Sequence, residues 1–245
     1  MAGATLPPSR EVVLGLGVWL IYLVDRLADT HGSHRSEHQA ARHVFAADHR
    51  VSLRLLTRLI ALTLVVGTPC WLTGGEFRSG LCLLALALGY YWLIHCWPGR
   101  GWAAYLPKEA AVGGMFGAGT IFFVACRASR VPGAIWLVAT FFAAVCFLNC
   151  AFITKWERSF RDLREPSSLL NAFPGLTGQL RLACAGAAAL ALGVSGITAT
   201  ACALPVAASA LLLAALDRYE TRLSIEVLRI VADLVLFTPL VWLLF

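Results

Sequence analysis

Charged residues are scarce in this sequence, and their scarcity limits the possible fold classes. Asp, Glu, Lys and Arg together make up 14% of the 245 residues, hydrophobic residues make up 59%, and the mean hydropathy is +0.73. A soluble globular domain of this length does not need so much apolar surface. The composition therefore excludes an ordinary soluble domain and predicts an integral membrane protein with several spanning helices.

Closely paired cysteines are also missing. The sequence has eight cysteines but no CxxC pair, and almost all of them fall within apolar segments. Cys146 and Cys150 come nearest to a pair, one helical turn apart. The pattern favours small buried hydrophobic side chains over metal ligands or disulfides. A secretory signal peptide is not visible either, because Asp25 and Arg26 follow the first apolar run where a cleavage site would have small residues.

The histidines do not form the boxes of a membrane di-iron oxidase. His34 and His38 have the HxxxH spacing of one such box, but an HxxHH sequence is absent and only His95 lies outside the same loop. A di-iron site requires several more histidines from other loops. The loop, which also contains several arginines, is instead interpreted as a basic, partly titrating segment that attracts anions.

The sequence does contain a series of eight apolar segments. Several are close to 20 residues long, the length that a helix needs to cross the hydrocarbon at 1.5 Å per residue. They lie roughly at 11–28, 53–74, 77–97, 108–127, 133–154, 180–197, 199–215 and 225–245. The division between the sixth and the seventh is weakly marked. We therefore predict an all-α, polytopic membrane helix bundle with about eight transmembrane helices, forming a single domain over 1–245.

The basic residues are unevenly distributed between the two ends of these segments. If the loop after the first segment is cytoplasmic, that side of the membrane holds 16 of the 20 Lys and Arg residues. The positive-inside rule predicts this asymmetry, so the net charge of +6 indicates cytoplasmic loops and no nucleic-acid partner. We expect an inner (plasma) membrane protein whose Asp25 and Glu157 loops are cytoplasmic. Only Asp233 lies well within a span, where we expect it to pair with Arg229 one turn earlier.

Two aspartates one helical turn apart follow the first apolar run. Asp25 and Asp29 share one face of a helix. A helix C-terminus disfavours carboxylates, so the two acids require a compensating cation. Mg²⁺ is suitable because it takes oxygen ligands and binds through one or two carboxylates plus substrate phosphates. The alternative is that the aspartates only solubilise a helix end and that Arg26 only marks topology.

A second acidic cluster, Glu157, Asp162 and Glu165, follows Asn149 at the end of the fifth segment. Basic residues interleave with these acids, and Arg158 with Asp162 has the spacing of an ordinary ion pair along a helix. The cluster is therefore equally consistent with solvated charge and with a binding site.

A glycine cluster lies in the fourth segment. Gly113 and Gly117 are four residues apart, which allows close contact between helices. No strand precedes the cluster, so a phosphate-binding loop is not indicated. We interpret these glycines as a packing feature.

Three stretches of the chain resemble the UbiA-type intramembrane prenyltransferases. The Asp25 to Asp29 stretch resembles the second half of that family's N-D-x-x-D-x-x-x-D signature, although Ile21 and Tyr22 stand where its leading Asn and Asp would fall. The run that begins at Lys108 resembles the start of the helix that follows the family's first two-helix return. Asn149 followed by Glu157 occupies the place of its second Asp-rich motif, with glutamate replacing one aspartate. Family members have nine helices, so the eight segments would correspond to helices two to nine.

The resemblance implies a helical bundle with a cavity that opens to the cytoplasm and laterally to lipid. In the family, the acidic motifs bind Mg²⁺ and the diphosphate of a prenyl donor, and an allylic carbocation then alkylates a lipid-soluble, often aromatic, acceptor. By this resemblance the catalytic and metal-binding residues are Asp25, Asp29 and Glu157. The residues expected to contact substrate are Arg26, Arg35, Arg42, Lys108, Asn149 and Asp162. The alternative is a relative that binds isoprenoid or lipid without turnover.

Overall fold

The computed structural model describes residues 7–32, 48–96, 107–128, 131–161, 168–198 and 203–238, without the side chains of 25, 26, 28–32, 94–96, 161 and 198. These residues form helices and connecting turns and contain no strand, which confirms the all-α class. The helices are α1 (Pro8–Gly32), α2 (Arg50–Trp71), α3 (Gly74–Cys96), α4 (Lys108–Arg127), α5 (Gly133–Arg161), α6 (Leu169–Ala172), α7 (Leu180–Thr198), α8 (Ala203–Leu216) and α9 (Ile225–Val235), with 3-10 turns at Pro174–Gln179 and Asp217–Tyr219.

Each of the eight apolar segments overlaps one helix, and these helices range from 11 residues in α9 to 29 residues in α5. The fourth segment, 108–127, coincides with α4, and the sixth and seventh are two separate helices, α7 and α8. The fifth helix differs from the prediction, because α5 continues seven residues beyond position 154. At 1.5 Å per residue, its 29 residues extend over about 43 Å, whereas the hydrocarbon core is about 30 Å thick. The charged end of α5 therefore reaches beyond the apolar span.

Within the described residues, four helical stretches are long and apolar enough to cross a membrane. They are Arg50–Trp71, Lys108–Arg127, Gly133–Phe160 and Pro174–Ile197. Large apolar side chains such as Val65 on α2 and Leu182 on α7 are exposed on these helices. Lipid is the environment that such surfaces require, so the structure supports membrane association.

The chain forms two compact units, Met1–Leu83 and Leu84–Phe245, and the boundary falls within α3. In the first unit, α1 packs on α2, and buried Arg10 at the start of α1 binds buried Glu76 at the start of α3. The guanidinium donates through Nε to Oε1 at 2.8 Å and through Nη2 to Oε2 at 3.0 Å. Glu76 also forms a capping box with Thr73, because each residue's backbone N–H donates to the other's side chain.

In the second unit, α5 packs against α4, α7, α8 and α9. Two glycines of α4 allow its close approach to α5. A Cβ at Gly113 would lie 2.5 Å from the backbone oxygen of Ala143, and one at Gly117 would lie 2.6 Å from the Cβ of Ala143. This geometry confirms that the two glycines serve packing.

Candidate functional site

The structure describes three of the nine side chains that the sequence predicts for the site. They are Lys108, Asn149 and Glu157, and all three belong to the second unit. The backbone of α1 is helical through Asp25 and Asp29, but the side chains of Asp25, Arg26 and Asp29 lie outside the described part of the structure. Arg35, Arg42 and Asp162 lie outside the described residues altogether.

The charged end of α5 is fastened to the neighbouring helices through Asp217, which follows α8. The buried Asp217 carboxylate accepts hydrogen bonds from Lys155 Nζ at 2.5 Å and from Trp156 Nε1 at 2.8 Å. Arg181, at the start of α7, donates through Nε to the other carboxylate oxygen at 2.5 Å. Lys155 also binds Glu220 at 2.7 Å. One buried carboxylate thus joins α5, α7 and the turn after α8.

The surroundings of Asp217 act in opposite directions on its pKa. Burial raises the pKa of this carboxyl group, whereas the hydrogen bonds from Lys155, Trp156 and Arg181 lower it, and the net result is a pKa below the usual value. Asp217 is therefore ionised at neutral pH, and its partners fill its acceptor positions. We interpret Asp217 as a structural residue that holds α5 and α7 together.

Glu109, at the start of α4, joins a second set of elements. Its buried carboxylate accepts hydrogen bonds from Ser168 Oγ at 2.5 Å and from the Leu169 backbone N–H at 3.0 Å. Thr154 on α5 lies 3.4 Å from the same carboxylate through its Oγ1. Ser168 in turn caps α6 by accepting from the Leu170 N–H at 3.2 Å. The start of α4 is thereby bound to the start of α6 and to α5.

Two polar pairs, which we call the α5–α9 ladder, connect α5 with α9. Glu157 lies 3.0 Å from Arg229, measured from Oε1 to Nη1, and Asn149 Nδ2 donates to Asp233 Oδ1 at 3.2 Å. Asn149 and Glu157 are buried, whereas Asp233 is exposed. The two pairs are separated by two turns of α5 and one turn of α9, so the ladder extends from the charged end into the apolar span.

In the ladder pair formed by Asn149 and Asp233, Asn149 has a buried hydrogen-bond acceptor that is not satisfied. Asn149 Oδ1 has no hydrogen-bond partner within the described residues, although the side chain is only 3% exposed. Buried polar atoms usually find a partner, so this oxygen can accept a hydrogen bond from a bound molecule or from water. Lys108 directly precedes Glu109, whose carboxylate contacts Thr154 of α5. Lys108 therefore lies at the start of α4, beside the half of α5 that contains Asn149.

The described residues do not fit a Mg²⁺ site. They contain no group of three His, Cys, Asp or Glu side chains that could hold a metal ion. Of the predicted metal ligands, Glu157 is the one whose side chain is described, and Arg229 already supplies a positive charge to it. A metal ion at Glu157 would have to compete with that guanidinium.

The sequence did not reveal Glu109, Asp217 and Arg229 as partners of the α5 side chains. Both acids have the pattern of ordinary charges at helix ends, and the spacing along α9 predicts Asp233 as the partner of Arg229. Their partners lie 45 to 72 positions away in the chain, so no local spacing identifies them. An available signal was the position of each acid directly beside an apolar run, where a charge needs a partner.

Searches of protein-family models, of curated proteins and of solved structures find no match to this chain. The family resemblance therefore stays a proposal that depends on the residues themselves.

Proposed function

We propose that the chain is a UbiA-like intramembrane prenyltransferase with about eight spans, which transfers a prenyl group from a prenyl diphosphate to an aromatic or other lipid-soluble acceptor. The observation that carries the proposal is the grouping of Lys108, Asn149 and Glu157. The sequence motifs select these residues from two separate helices. The hydrogen bond between Thr154 of α5 and Glu109, which follows Lys108, brings the start of α4 beside the second half of α5, where Asn149 and Glu157 lie.

The chemistry of this end suits an amphiphile with an anionic head. Lys108 and Arg229 provide cations, and ammonium and guanidinium groups bind phosphate oxygens strongly. The buried Asn149 Oδ1 can accept a hydrogen bond from the substrate that receives the prenyl group, for example from a phenol hydroxyl. Directly beyond these residues, the apolar span provides contacts for an isoprenoid tail and excludes water from a reactive cation.

Further parts of the proposal depend on residues outside the described structure. Arg26, Arg35 and Arg42 would contribute more cations to the diphosphate. The expected Mg²⁺ would depend on Asp25 and Asp29, because the described residues alone do not supply a metal site.

A second function, binding of a prenyl lipid without turnover, is favoured by the ion pair between Glu157 and Arg229. In this function the acidic motif has been converted into a structural pair, and the chain retains a binding surface without a metal. The two functions predict opposite responses to metal removal, so one experiment separates them.

The experiment uses purified full-length chain in nanodiscs with radiolabelled farnesyl and geranylgeranyl diphosphate and a panel of phenolic and quinol acceptors. A transferase releases diphosphate with Mg²⁺, stops with EDTA, and loses turnover when Asp25→Asn is combined with Asp29→Asn. Asp48→Asn, which changes an exposed carboxylate near the start of α2, serves as the matched control and should retain turnover.

The other outcomes are equally specific. Binding of the diphosphate that is indifferent to EDTA, without release, supports the binding protein and rejects the transferase. Absence of both binding and release rejects both functions.

A further inference from the structure

Helix α2 exposes two arginines on an otherwise apolar face. Arg54 and Arg58 are one helical turn apart and exposed, and the leucines that follow each of them, Leu55 and Leu59, are about 60% exposed. The buried face of α2, marked by Ile60, is a different side of the helix. Cationic and apolar groups therefore share the same outward surface.

These two arginines have no hydrogen bond or ion pair within the described residues. The first turn of α2 contains no acidic residue, although the helix macrodipole is positive at this end. Cations at a helix N-terminus are unfavourable unless an anion compensates them. Arg50 at the start of α2 adds a further positive charge, and the exposed Asp48 before it is the nearest acid along the chain.

The position of Arg58 along α2 determines which anions can reach it. The stretch after Arg58, 59–71, has 13 residues and extends over roughly 20 Å, whereas the hydrocarbon core is about 30 Å thick. If α2 crosses the membrane, the backbone of Arg58 lies below the level of the lipid headgroups. Side chains on a helix point towards its N-terminus, so the Arg58 guanidinium extends back towards the headgroups at the start of α2. The anion at that depth on a lipid-facing surface is the phosphate of a phospholipid.

We propose that Arg54 and Arg58 form a binding site for the headgroup phosphate of an anionic phospholipid, with Leu55 and Leu59 against its acyl chains. Guanidinium groups hold phosphate through two parallel hydrogen bonds, and basic residues near a membrane surface favour anionic lipid. The site is independent of the proposed prenyl-diphosphate chemistry.

The test measures the preference of the purified full chain for spin-labelled phosphatidylglycerol over phosphatidylcholine in nanodiscs. We expect a preference of about fivefold for each arginine, and its loss when Arg54→Gln is combined with Arg58→Gln. The matched control combines Arg218→Gln with Arg222→Gln. This pair removes two exposed arginines with the same four-residue spacing, which follow α8, and it should leave the preference intact.

Several results would overturn the proposal: no preference in the unmodified chain, an equal loss in both double variants, or abolition of the preference by free inorganic phosphate. The last result would identify a soluble phosphate as the ligand. If the glutamine pair fails to fold, the variant with Arg54→Lys and Arg58→Lys replaces it. The lysine pair keeps the charge but lacks the planar fork, so it should lower the preference without abolishing it, and an unchanged preference contradicts the bidentate contact.

Discussion

The ion pair between Arg10 and Glu76 provides a quantitative test of the packing in the first unit. Arg10 is 7% exposed and Glu76 is 1% exposed, and the guanidinium holds the carboxylate through two hydrogen bonds. Removing one partner of a buried pair leaves an uncompensated charge and typically costs about 3–5 kcal/mol. We therefore expect Glu76→Gln to lower the free energy of unfolding by about 3 kcal/mol or more.

The choice of glutamine separates the ion pair from the helix cap. Glutamine can take the place of glutamate in a capping box, so Glu76→Gln removes the charge while the contact with Thr73 is retained. Thr73→Ala removes the cap instead and should cost only about 1 kcal/mol. A third variant combines Arg10→Met with Glu76→Gln. Because it removes both charges, its loss of stability should be smaller than the sum of the losses caused by Arg10→Met alone and Glu76→Gln alone.

The measurement is equilibrium unfolding in mixed micelles, followed by far-ultraviolet circular dichroism. A loss below about 1 kcal/mol for Glu76→Gln, the range of exposed ion pairs, would refute the reasoning. The reasoning would also be refuted if the losses of stability caused by Arg10→Met and Glu76→Gln added strictly in the double variant, because Arg10 and Glu76 would then not interact.

Two further predictions concern the second unit. Gly113→Ala should destabilise it by about 1–3 kcal/mol, because the new methyl group would overlap the backbone oxygen of Ala143, whereas Gly114→Ala, with open space at its Cβ, should be neutral or slightly stabilising in the same unfolding measurement. The lowered pKa of Asp217 means that its stabilisation is fully present above the pKa of the unfolded carboxyl, about 3.9, and is lost as pH falls through the folded pKa. The unfolding midpoint of the unmodified chain should therefore fall below pH 4 more steeply than that of Asp217→Asn, and parallel pH profiles would contradict this role.

The apolar pattern of the sequence predicts the helices well because hydrocarbon and protein interior both select long apolar runs. It predicts α4 to the residue, and it fails at the end of α5, where the helix continues through Lys155 to Arg161. Three of the charges there have partners on other elements: Lys155 binds Asp217, Glu157 pairs with Arg229, and Arg158 donates to the Leu170 backbone oxygen at 3.1 Å. Counting apolar residues along the sequence does not identify those partners.

The site was predicted less completely than the helices for the same reason. The sequence singles out Asn149 and Glu157 as polar residues on one apolar helix, but it does not supply the partners that they contact in the structure. Asp233 contacts Asn149, and Arg229 contacts Glu157, across 84 and 72 positions of the chain. Pairing over such separations depends on how the helices pack, and spacing within one helix does not report it.

The carboxylates at the charged end of the second unit differ in how readily they could bind a ligand. Asp217 accepts from Lys155, Trp156 and Arg181, so a ligand there would have to break contacts that hold α5 and α7 in place. The pair of Glu157 and Arg229 is different, because it is an ion pair in which a diphosphate could take the place of the carboxylate at Arg229. Replacing Arg229 removes the cation that such a ligand would contact. Arg229→Gln should therefore weaken the binding of radiolabelled prenyl diphosphate in nanodiscs, and unchanged binding would exclude Arg229 from the phosphate contact.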